Sequence, residues 1–171
     1  AAHRDVLRVA RDTNFNALSS KTRVIRKEKG DKGGLRQAWL DAWKTPKGHA
    51  IILEDDIALS PHWYTWMKAA WASYDSNELA GISLQRQVLI PMKPQKSEDL
   101  VKHTDPFLYK LVGSIGFSPH PQRWKEFLAW VNTLDLDTFP AAVPGLVTTD
   151  WYQKNDKKGI WTQLFIYFCE E

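Results

Sequence analysis

A short apolar run, Ala50-Ile51-Ile52-Leu53, is followed at once by three carboxylates, Glu54-Asp55-Asp56, and this stretch constrains the fold more than any other. The run reads as a buried strand of a parallel sheet. Beyond Ile57-Ala58-Leu59, the pair Ser60-Pro61 reads as an N-cap with proline at the first helical position. In open α/β sheets, ligands sit outside the carboxyl ends of the strands. Three adjacent carboxylates repel one another, and a divalent cation relieves that repulsion. Hard oxygen donors of this kind suit Mg²⁺ or Mn²⁺. The competing explanation is an acidic, solvated turn between strand and helix. The position directly after so apolar a run favours a metal site.

Hydrophobic spacing organises the rest of the chain. Val6, Leu7, Val9 and Ala10 predict a first helix, and Arg23-Val24-Ile25-Arg26 a short strand. Gly30 to Gly34 is a charged, glycine-rich loop without the spacing of a phosphate-cradling P-loop. Leu35, Ala38, Trp39, Ala42 and Trp43 recur at helical intervals, and Lys44 to Gly48 stops that helix. Trp63, Trp66, Met67, Ala70, Trp71 and Tyr74 mark one face of the helix after the acids. This spacing makes those tryptophans structural rather than a sugar-stacking platform.

Leu79 to Leu84 predicts another strand, with Gln85-Arg86-Gln87 on the same rim as the acids if the strands run parallel. Pro91 to Pro106 is a long polar loop. Tyr109 to Val112 and Ile115 to Phe117 read as two short strands or one bent strand. Pro119 to Pro121 introduces a helix carrying Trp124, Phe127, Leu128 and Val131. Asp150 to Lys158 reads as a polar helical turn ended at Gly159, and Trp161, Leu164, Phe165 and Phe168 mark a last helix. The alternation predicts a single α/β domain over 1–171.

Gly34-Leu35-Arg36-Gln37-Ala38-Trp39-Leu40-Asp41-Ala42-Trp43, followed by Ile51-Ile52-Leu53-Glu54-Asp55-Asp56, resembles the GT-A fold glycosyltransferases. Within them the chain is most similar to the N-acetylglucosaminyltransferase I-like branch, whose metal motif is also Glu-Asp-Asp after an apolar strand. The aromatic helix from Trp63, the Gly113-Ser114-Ile115-Gly116-Phe117 stretch and the tail Trp161 to Ile166 follow the same order. The resemblance extends from about Arg23 to the end.

It implies a GT-A-like mixed sheet flanked by helices and a metal-dependent transfer of sugar from a nucleotide-sugar to an acceptor hydroxyl. Asp56 would bind the metal, Mn²⁺ or Mg²⁺, and Glu54 and Asp55 would contact the donor sugar or ribose. Asp150, in Thr148-Thr149-Asp150-Trp151, is the candidate general base, with Thr149 as N-cap of its helix; the competing explanation is an acid at a helix N-terminus that favours the dipole, and Asp135 and Asp137 are weaker candidates. Such folds begin with a nucleotide-binding strand, and none precedes Val6. The late metal-binding histidine of some members has no counterpart, so His103 and His120 read as ordinary surface histidines.

Composition narrows the alternatives. The 171 residues carry a net charge of +3 with both signs interspersed, which gives no basis for a nucleic-acid partner. No apolar run approaches the roughly 20 residues of a membrane span, so no membrane anchor is expected within these residues. The single cysteine, Cys169, allows no internal disulfide. The chain starts at Ala1 and stops at Glu171 inside an expected helix, which reads as a piece of a longer protein. A eukaryotic family member would work in the Golgi lumen. Two other functions compete: a metal-dependent phosphohydrolase, and a non-catalytic carbohydrate-binding domain suggested by the nine tryptophans.

Overall fold

The computed structural model describes residues 8, 12, 34–85, 106–110, 112–154 and 159–171. The chain divides into two compact units, Ala1–Lys32 and Gly33–Glu171. In the first unit Arg8 and Asp12 are helical; the expected strand at 23–26 lies outside the described residues. The second unit is a mixed α/β arrangement. Its described elements are α1 (Gly34–Ala42), α2 (Trp63–Tyr74), β1 (Gly81–Ser83), β2 (Phe117–Pro119), α3 (Pro121–Val131), α4 (Val147–Lys154) and α5 (Trp161–Glu170). Among the described residues no helix is long and apolar enough to cross a membrane.

The core is aromatic and forms around α5. Trp161, Leu164 and Phe165 are buried, as their spacing predicts, and so are Gln163 and Ile166. Trp39 of α1 stacks on Trp161 at 4.2 Å between ring centroids. Trp124 and Phe127 of α3 meet Phe165 at 5.6 and 4.9 Å, the latter edge to face. Such offset and edge contacts bring the ring edge of one residue onto the electron-rich face of another. Pro121 starts α3 as its spacing predicts, and Trp124, Phe127 and Val131 line its buried face. In α1 the buried pair is Trp39 and Leu40, while Leu35 is exposed.

The sheet departs from expectation. β1 and β2 are antiparallel, pairing Gly81 with Pro119, Ile82 with Ser118 and Ser83 with Phe117. The 50–53 run is not a strand of a parallel sheet. It joins β2 through a single antiparallel bridge, in which the Ile52 N–H donates to the Phe117 carbonyl at 2.8 Å. An antiparallel ladder alternates hydrogen-bonded with non-bonded pairs. The bonds His120 N–H to Ala80 O and Leu84 N–H to Gly116 O place Phe117 and Pro119 at non-bonded positions facing away from β1. Phe117 is therefore free to bond Ile52, and Pro119 costs no bond to β1. Gly81 is required by close approach, since a Cβ there would lie 2.7 Å from the Phe117 ring.

Ser118, itself buried, ties three segments together. Its hydroxyl accepts from Trp71 Nε1 at 2.8 Å and donates to the carbonyl of Ala50. The helix containing Trp71 starts at Trp63, two residues after Pro61, and Ser60 instead holds the turn by accepting from the His62 N–H. Met67, Ala70 and Trp71 are its buried residues; Trp66 and Tyr74 are 42% and 52% exposed and Trp63 is half-buried. The apolar stripe is thus wider than the surface that covers it. The strand expected at 115–117 is displaced to 117–119, and no strand forms at the described residues of 109–112.

Candidate functional site

Direction in the sheet decides where the acids sit. The 50–53 run and β1 are both antiparallel to β2, which lies between them, so they run the same way. Their carboxyl ends therefore share one rim. At that rim lie Glu54-Asp55-Asp56 after Ile52, Gln85 after β1, and the Gly113–Gly116 turn that leads into β2. The shared rim expected for Gln85 is met, though through an intervening antiparallel strand; Arg86 and Gln87 lie outside the described residues.

The three acids are not equivalent. Glu54 is half-buried, and its Oε1 accepts a hydrogen bond from Trp39 Nε1 at 3.1 Å. Because Trp39 is stacked on Trp161, the core fixes the first acid. Asp55 and Asp56 are exposed in the following turn. Trp39 is the residue that sequence reasoning missed in this role. The signal for it was weak, because an apolar helical stripe accounts for a tryptophan without reference to its N–H.

Asp150 is exposed in the first turn of α4. That helix begins at Val147, so Thr149 is not its N-cap. Thr149 is buried; its hydroxyl donates to the Val143 carbonyl at 2.7 Å and accepts from the Val143 N–H at 3.0 Å. Gln163 of α5, fully buried, donates from Nε2 to Thr149 Oγ1 at 3.1 Å and to the Ala141 carbonyl at 2.8 Å. The first turns of α5 thus hold both candidate regions: Trp161 through Trp39 to Glu54, and Gln163 to Thr149, the residue beside Asp150. Among the described residues, no hydrogen bond or ion pair links Asp150 to the triplet.

The weaker base candidates have structural partners. Asp135 accepts from Thr138 Oγ1 at 2.9 Å and from the Asp137 N–H at 3.2 Å, and these bonds hold its carboxyl below the usual carboxylate range. Asp137 lies 3.6 Å from the Arg36 guanidinium. His120 is not a surface histidine. It is 7% exposed at the N-cap of α3, and its Nε2 lies 3.4 Å from Asp75 Oδ1, an oxygen also 3.5 Å from His49 Nε2. His103 lies outside the described residues. Among those residues no group of three or more His, Cys, Asp or Glu is arranged to hold a metal ion.

Compared with known protein families, curated proteins and solved structures, the chain matches none of them.

Proposed function

We propose that the chain carries the donor site of a metal-dependent GT-A-like glycosyltransferase, which moves a sugar from a nucleotide-sugar to an acceptor hydroxyl. The observation that carries this reading is the triplet's arrangement at the rim. Glu54 is fixed by Trp39, while Asp55 and Asp56 are left exposed beside it. Anchoring the first acid sets the direction of the turn and leaves two carboxylates open to a ligand.

The donor set fits Mn²⁺ or Mg²⁺. Cations of this kind are commonly held by one or two carboxylates plus substrate phosphates, so a cage of three protein ligands is not required. Asp56 would hold the cation, and Glu54 and Asp55 would orient the ribose or donor sugar. When bound, the cation supplies positive charge to the diphosphate leaving group. Asp150 would accept the proton of the acceptor hydroxyl as general base. Unlike those of Asp135 and Asp137, its carboxylate has no hydrogen-bond or ion-pair partner among the described residues.

The test is calorimetry with UDP and GDP in the presence and absence of Mn²⁺. One nucleotide should bind wild type only with Mn²⁺, and Asp56→Ala should abolish that binding without changing the melting temperature. Failure of both nucleotides to bind refutes the reading. Release of phosphate from a phosphomonoester would indicate the phosphohydrolase instead, and sugar binding indifferent to Asp56→Ala the carbohydrate-binding domain.

A further inference from the structure

Gln85 occupies the opposite side of the rim from the acids, with β2 between them. Neighbouring strands lie about 4.8 Å apart, so the two outer segments are about 10 Å apart at their carboxyl ends. The Gln85 side chain has one defined orientation. Its Oε1 accepts from the Ile115 backbone N–H at 3.3 Å. A backbone N–H can only donate, so the atom facing it must be the amide oxygen, and Nε2 keeps both its hydrogens. That Nε2 has no hydrogen-bond partner among the described residues, and Gln85 is half-buried.

The support beneath it is rigid. The Gln85 N–H donates to Ser83 Oγ at 3.0 Å, and that hydroxyl donates to the Gly113 carbonyl at 2.9 Å. Leu84 N–H bonds the Gly116 carbonyl at 3.0 Å. Gly116 adopts φ +67, and a Cβ there would meet the Leu84 side chain at 2.9 Å, so the turn closes tightly on the end of β1. Gln85 and the Gly113–Gly116 turn form one hydrogen-bonded unit.

Resting on the donor-site reading above, we propose that Gln85 binds the nucleotide diphosphate, donating from Nε2 to its phosphate oxygens. The carboxylates of the triplet offer only acceptors, so a diphosphate held beside them would still present negatively charged oxygens that need donors. A neutral amide supplies two N–H groups there.

The decisive variant is Gln85→Glu. A glutamate keeps an acceptor oxygen for the Ile115 N–H, and with it the support of the turn, but loses both donors and adds a negative charge. With calorimetry in Mn²⁺, Gln85→Ala should bind the nucleotide about tenfold more weakly than wild type, the scale of one hydrogen bond to a charged group. Gln85→Glu should bind more weakly still, with an unchanged melting temperature. Affinity for Mn²⁺ alone should match wild type in both. If Gln85→Glu binds the nucleotide as wild type does, while Asp56→Ala abolishes binding, the Gln85 assignment falls and the donor site stands. If wild type binds neither UDP nor GDP, both fall together.

Discussion

Ser118→Ala should be among the most damaging single-atom deletions in this protein. The hydroxyl is buried and serves two partners, Trp71 Nε1 as acceptor and the Ala50 carbonyl as donor. Trp71 is 5% exposed, so without Ser118 its indole N–H is left buried and unpaired, at a cost of about 1–3 kcal/mol. Ala50 is only half-buried, and its carbonyl recovers part of its loss from water, which adds up to about 1 kcal/mol. The sum is about 1–4 kcal/mol, or a fall in melting temperature of roughly 2–16 °C for a domain of this size. Urea unfolding followed by tryptophan fluorescence measures it. Trp71→Phe removes the donor while keeping most of the ring, so Ser118→Ala should cost at least about 1 kcal/mol less in that background. A loss below about 0.5 kcal/mol in wild type, or strict additivity with Trp71→Phe, would refute the assignment of this hydroxyl as a tertiary tie.

Four other outcomes follow from the same contacts. Trp124→Ala, at a fully buried site, should cost about 3–5 kcal/mol, whereas Trp66→Ala, 42% exposed, should cost less than about 1 kcal/mol; equal losses in urea unfolding would contradict the burial pattern. Trp39→Phe keeps an aromatic ring against Trp161 but removes the donor to Glu54, so Mn²⁺-dependent nucleotide binding should weaken more than stability does; unaltered affinity would detach Trp39 from the site. Burial raises the Tyr152 phenol above its ordinary value of 10, with Arg36 offsetting part of the shift. The stability it contributes is therefore complete below about pH 10 and is lost as the pH rises through its folded value. Tyr152→Phe should flatten that alkaline loss, while costing about 1 kcal/mol at pH 7 for the bond to the Phe139 carbonyl; parallel pH–stability curves would contradict it. Asp150→Asn should leave nucleotide binding intact and slow sugar transfer by about 10²-fold or more, so near-normal turnover would remove Asp150 from the mechanism.

Local spacing determined most of the helices. Trp124, Phe127 and Val131, and likewise Trp161, Leu164 and Phe165, recur at three and four residues, and a helix places such residues on one face whatever surrounds it. The end of β1 just before Gln85 was legible as a short apolar run, not as a helical repeat. Tertiary structure decided the rest, because each remaining feature depends on a partner far along the chain. Ile52 has no preference of its own for a parallel or antiparallel neighbour; Phe117, 65 positions later, made it antiparallel. The stripe on α2 exceeds what β1 and its surroundings cover, so Met67 and Trp71 are buried and Trp66 is not. Trp39 bonds Glu54 only because stacking on Trp161 turns its N–H toward the triplet. Thr149 was expected to cap its helix, yet Gln163 and Val143 draw its hydroxyl into the core. A side chain's periodicity is fixed by the backbone it sits on, but the hydrogen bond it makes is fixed by whatever the folded chain brings within 3 Å of it.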